Sequence, residues 1–179
     1  MTLNQSINKA AKIVKDAQRV YGAGNGGSAA TVNHFIADLQ NTCGIDAESF
    51  CQTEKITALG NDYGYETIFE RQLIYKRPIL EKDKGKYDAV IMASFSGASR
   101  NIYELTWMIA HSKRNIRLIL LTSFASKHSI TETAARVMRK FGLTIDGVII
   151  YSLGNIRAVE DEHLRICHQI ISKIKKGYN

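Results

Sequence analysis

Apolar positions along this chain fall into two alternating rhythms. Between Leu3 and Gln18, residues Ile7, Ala10, Ala11, Ile13 and Val14 are spaced as one face of a helix. Arg19–Gly24 then reads as a short strand that runs into the glycine-rich GAGNGGS, and helical spacing returns from Ser28 to about Asn41. Three later segments, Tyr87–Phe95 (YDAVIMASF), 116–123 (IRLILLTS) and Gly147–Ser152 (GVIIYS), are predominantly apolar runs, as expected of strands buried on both faces. Helices are predicted over 99–113, over 131–141, and from about Arg157 to Lys176. Asp62-Tyr63-Gly64 opens a further predicted helix that runs to Arg77 and stops before Pro78, the only proline. Asp83-Lys84-Gly85-Lys86 reads as a turn, and residues 42–60 carry no clear period. Buried strands separated by helices give an α/β fold with a mostly parallel sheet.

A length of 179 residues suits one domain over 1–179, its N-terminal helix at about 3–18. The 45% hydrophobic and 23% charged composition is that of a soluble globular protein, not of a disordered chain. No apolar run approaches the roughly 20 residues of a membrane span, and MTLNQSINKAAKIVKDAQ has no apolar signal core, so a cytoplasmic protein without membrane partners is expected. Cys43, Cys51 and Cys167 form no CxxC pair and are expected to be reduced, unreactive thiols. The net charge of +7 suits an anionic partner. The one compact basic run (Lys173, Lys175, Lys176) lacks interleaved aromatics and reads as a solvated tail, so no nucleic-acid partner is expected.

Chemistry in such sheets gathers at the C-terminal ends of the strands. Two strands here end in loops suited to an anion: GAGNGGS at 22–28, and Ser94-Phe95-Ser96-Gly97-Ala98-Ser99. Free N–H groups and the partial positive charge of a helix N-terminus attract phosphate. Neither loop is a Walker A sequence or a GxGxxG fingerprint, which favours a small phosphate ester over a nucleotide. On the helix at 28–41, Ala29, Val32, Phe35, Ile36 and Leu39 share one side, and Thr31, His34 and Asp38 the other. His34 and Asp38 lie one turn apart, able to share a proton or a metal, or simply to form a solvated face. On the final helix Leu164, Cys167, Ile170, Ile171 and Ile174 make an apolar stripe; Glu160 and His163 project onto it, and His168 lies on its flank. Ionisable groups on a buried face cost free energy unless paired or bound. His111 and His128 read as surface residues.

Four motifs in order, YGAGNGGSAATVNHF, ALGNDYGYETIFERQ, SFSGASRN and VEDEHLRICHQI, resemble the sugar isomerase (SIS) domain family, and within it the phosphoheptose isomerases. The resemblance implies a three-layer α/β/α, flavodoxin-like doubly wound parallel sheet. It also implies a homotetramer with active sites between subunits, acting on sedoheptulose 7-phosphate for bacterial surface polysaccharide. Carried over by motif, Asn25, Gly26, Gly27 and Ser28 contact substrate, as do Asn61 and Asp62, while Ser94, Phe95, Ser96 and Ser99 hold the phosphate end. His34, Asp38, Glu160 and His168 fall at the positions of a Zn²⁺ site, Asp38 and His168 doubling as the catalytic pair and Glu160 also touching substrate. This chain departs from the family pattern at Asp38 (usually glutamate), Glu160 (glutamine), Thr31 (aspartate), Phe95 (threonine) and Thr42 (arginine). Segment 124–146 also lacks the family's glycine-rich stretch.

The implied reaction is ketose–aldose isomerisation through an enediol, with Asp38 and His168 as acid–base partners across a subunit interface. Glu160 and His168 are eight residues apart, about 12 Å along a helix. Both reach one ion only if Glu160 precedes the regular helix or the two come from different subunits. The alternative is a non-catalytic phosphosugar-binding SIS protein serving as a regulator or replication-initiator partner.

Overall fold

A computed structural model describes residues 1–79, 85–123 and 147–176. Five parallel strands, β1 (Val20–Gly24), β2 (Ala47–Ser49), β3 (Asp88–Ala93), β4 (Ile116–Ser123) and β5 (Gly147–Ser152), form one sheet in the order β2-β1-β3-β4-β5. That order reverses between β1 and β3, as in the doubly wound flavodoxin-like arrangement. Every residue of β1 and β3 is buried, which explains why their sequences run apolar without alternation.

Helices cover both faces, completing three α/β/α layers. On one side α1 (Leu3–Asp16) and α2 (Gly27–Cys43) both pack against the last helix, α6 (Ile156–Lys176). On the other lie α4 (Ile68–Ile74) and α5 (Arg100–His111), with α3 (Thr53–Tyr63) resting on α4 and on a single 3₁₀ turn at Tyr65–Thr67. α1 starts from a capping box in which the Thr2 hydroxyl accepts the Gln5 N–H and the Gln5 side chain accepts the Thr2 N–H. Under the sheet's N-terminal edge Arg19 donates to both oxygens of the buried Asp88, at 2.9 and 2.7 Å, tying β1 to β3.

Several predicted boundaries move. The segment without a clear period contains β2 and most of α3. Asp62 and Tyr63 end α3 rather than opening the next helix, and Gly64, at φ 90°, separates them from the 3₁₀ turn; α4 then stops at Ile74, short of Arg77. Thr31 is buried, not on the open face of α2, and in α6 the stripe is filled by Ile166 where Leu164 is only partly covered. The predicted helix at 131–141, the first half of the turn at 83–86, and His128 lie outside the described residues. None of the described helices is long and apolar enough to cross a membrane.

Candidate active site

The site begins where the strand order reverses. β1 ends in Gly24, and Gly26 caps α2 at φ 55° and ψ −126°, a backbone conformation that side chains disfavour. A Cβ on Gly26 would meet nothing within 4 Å, so conformation, not space, demands glycine there. Gly27 is the opposite case: a Cβ would lie 2.5 Å from the Glu160 carboxylate oxygens. Glu160, in the second turn of α6, therefore rests against the N-terminus of α2.

The second loop leaves β3 and enters α5. The Ser94 hydroxyl accepts the Gly97 N–H and the Ser96 hydroxyl accepts the Ala98 N–H, both at 3.1 Å, so these two serines shape the turn themselves. The Phe95 carbonyl accepts the N–H and hydroxyl of Ser123 at 3.1 and 2.8 Å, which anchors the loop to the end of β4. Ser99 stands at the N-cap of α5 and makes no capping bond with its side chain, and no acidic residue occupies the first turn of that helix.

The two loops are bound to each other. Asn25 Nδ2 donates to Asn101 Oδ1, and Asn101 Nδ2 donates back to Asn25 Oδ1, each at 2.9 Å. The backbone N–H of Ile102 donates to the same Asn101 Oδ1, which fixes the orientation of both amides. The Tyr65 hydroxyl adds a third donor to the cluster, 3.0 Å from Asn25 Oδ1. Around this network opens a cavity of about 620 Å³ lined by Asn25, Tyr65, Glu66, Ser99, Arg100 and Asn101. Tyr65, Glu66, Arg100 and Asn101 were missed as site residues, although GNDYGYE and SFSGASRN contain all four. Asn61 and Asp62, hydrogen-bonded to each other at 2.9 Å on the last turn of α3, are exposed and do not line it.

Farther along α2 the remaining candidates converge. α2 and α6 run parallel: Gly27 faces Glu160, and two turns on His34 faces His168. His34 Nε2 and His168 Nε2 are 3.0 Å apart, and Asp38 Oδ2 is 3.5 Å from His34 Nε2. Two imidazole nitrogens face each other favourably only with a proton or a cation between them. Ligand atoms of His34, Asp38 and His168 all lie within 4.8 Å of one another, an N, N, O set of the kind zinc accepts while keeping a fourth position open. All three come from one chain, so Asp38 and His168 meet without a subunit interface. Glu160 stays two turns away in the regular helix and is not part of this trio among the described residues. Cys167, next to His168 in the chain and buried, has its thiol pushed up to about 12 by burial and by the nearby Asp38 charge. Burial also raises Cys51.

A model of the SIS domain matches residues 1–123. This chain belongs to the SIS domain family. It is 34% identical over 111 residues to the phosphoheptose isomerase of Aliarcobacter butzleri, a match covering 56% of this chain and 55% of that protein, so it spans little more than half of that relative. To the phosphoheptose isomerase of Sulfurimonas denitrificans it is 30% identical over 160 residues, 86% of this chain and 71% of the relative. The structure of the phosphoheptose isomerase from Neisseria gonorrhoeae superposes with a TM-score of 0.79 at 25% identity, covering 98% of this chain and 88% of that one.

Proposed function

We propose that this SIS protein is a sugar-phosphate isomerase that interconverts sedoheptulose 7-phosphate and a heptose 7-phosphate for bacterial surface polysaccharide. The observation that carries the reading is the convergence of His34, Asp38 and His168 two helical turns from the Gly27 end of α2. A scaffold with no reaction to perform has little reason to aim two imidazoles and a carboxylate at one point. Phe95, Thr42 and Glu160 are then tolerated variations on the relatives' pattern.

The phosphate end of the substrate is held by Ser94, Phe95, Ser96 and Ser99, at the N-terminus of α5. Asn25, Gly26, Gly27, Ser28 and Glu160 contact the sugar; Asn61 and Asp62, which do not line the cavity, would join them only by a shift of the last turn of α3. Asp38 and His168 move the proton between the adjacent carbons and manage the hydroxyl proton that must travel with it. His34, Asp38 and His168 would hold a Zn²⁺ ion, Glu160 joining only by a change of its side-chain position; such an ion polarises a carbonyl and orients the acid–base pair. The chain works as a homotetramer. In support, α3 buries none of its side chains, and Tyr63, Tyr65, Ile74 and Tyr75 stand exposed beside it, a surface suited to a neighbouring copy.

The test is Asp38→Asn, which keeps the size and hydrogen-bonding reach of the side chain but removes its basicity. Turnover of sedoheptulose 7-phosphate should fall by about a hundredfold or more, in the range of general acid–base contributions. Turnover within a few-fold of the parent would remove Asp38 from the chemistry.

A further inference from the structure

The loop assigned to the substrate's phosphate is rich in hydroxyls and has no charge of its own, since none of residues 94–99 is ionisable. A phosphate dianion there would rely on the partial charge of one helix end. The cavity wall supplies a full positive charge. Arg100, the first residue of α5, lines the cavity together with Ser99, Asn25 and Asn101. Arg100 is the one basic side chain on that wall, which also carries the acidic Glu66 and the phenol of Tyr65.

Arg100 is at present turned to a neighbour on its own helix. Its Nη2 lies 2.5 Å from Glu104 Oε1 one turn away, and its guanidinium carbon is 5.2 Å from the Tyr103 ring centre. The Arg100 side chain is 69% exposed while Glu104 is 19% exposed, so the guanidinium end of this i,i+4 pair is open to solvent and free to exchange partners. The rest of the wall is less free to move. Asn101 is 2% exposed and locked to Asn25 in both directions, and Tyr65 is hydrogen-bonded to the same amide.

We propose that Arg100 is a phosphate-binding residue of this protein, leaving Glu104 to grip the substrate's phosphate when that group enters the serine loop. The proposal rests on the reading of this site as one for a phosphosugar. A planar guanidinium can offer two parallel N–H donors to phosphate oxygens, which an ammonium cannot. Glu104 sets the threshold for the exchange. It also faces Glu70, whose carboxyl is raised by burial and by the Glu104 charge, so releasing Arg100 leaves two carboxylates opposed. Neutralising Glu104 should therefore favour the phosphate-bound arrangement.

The experiment is calorimetric titration of the full chain with inorganic phosphate, comparing the parent with Arg100→Gln, Arg100→Lys, Glu104→Gln, the double variant Arg100→Gln/Glu104→Gln, and Ser96→Ala. Arg100→Gln should weaken binding about tenfold or more, with Arg100→Lys intermediate. Glu104→Gln should tighten it several-fold, and this gain should vanish once Arg100 is gone. If Arg100→Gln binds within twofold of the parent while Ser96→Ala loses affinity, the role of Arg100 is overturned and the serine loop stands as the phosphate site. If the parent shows no saturable phosphate binding, the phosphosugar reading of the loop falls with it.

Discussion

His163 lies on the buried stripe of α6 with no exposed surface, its Nε2 3.4 Å from the Thr122 carbonyl and its Nδ1 without a partner. Burial lowers its tendency to take up a proton, only partly offset by that carbonyl and by the Glu162 charge. The unfolded chain gains a proton near pH 6.5 that the folded chain resists, so His163 favours folding above that pH and opposes it progressively below. Stability measured by urea unfolding should therefore fall between pH 7 and pH 5, and His163→Gln should flatten that limb; an unchanged slope would mean that burial does not govern this histidine. On a helical wheel, the sequence alone places His163 and Glu160 on the stripe. The wheel distinguishes faces, not neighbours, so it could not say that Glu160, partly exposed at the stripe's start, rests on Gly27 while His163 is enclosed. Thr31 failed for the related reason that a small hydroxyl residue is compatible with either face.

The parallel pair of α2 and α6 is the element on which the site depends. Gly27 lets the two helices close at one end, and His34 and His168 meet at the other. Gly27→Ala meets only the far end of the flexible Glu160 side chain, which should swing aside at a cost of less than about 1 kcal/mol in thermal or urea unfolding, below that of overpacking a rigid core. Glu160→Ala should relieve most of that cost. Simple addition of the two effects would show that the side chains do not oppose each other. The strands β3 and β4 were legible because burial on both faces leaves an apolar run with nothing to disguise it, whereas β5, at the sheet edge, alternates buried with partly covered positions and so is not the doubly buried strand its apolar run suggests. α3 was not, because a helix that buries no side chain has no stripe to read; Ile56 and Leu59 are only partly covered. β2, three residues long at the sheet edge, carries too few positions for any period.

At the scale of the whole molecule, topology brings together what sequence order keeps apart. The two anion loops are some seventy residues distant in the chain yet share a reciprocal amide pair at the reversal between β1 and β3. The rule that ligands gather at such a reversal singles these loops out from sequence as candidates. The places of Tyr65, Glu66 and Arg100 on the cavity wall are not readable that way, because they depend on how a 3₁₀ turn and a helix start face each other across the cavity. The charge surplus of seven is consistent with a phosphorylated substrate but selects none. The proposed function requires these parts together to isomerise a seven-carbon ketose phosphate. Its most direct test is turnover of sedoheptulose 7-phosphate by the purified, zinc-supplied protein, followed by appearance of the aldose 7-phosphate. Steady conversion that is lost in Asp38→Asn is the expected result; binding of the sugar phosphate without any conversion would contradict the account and make this a phosphosugar-binding protein.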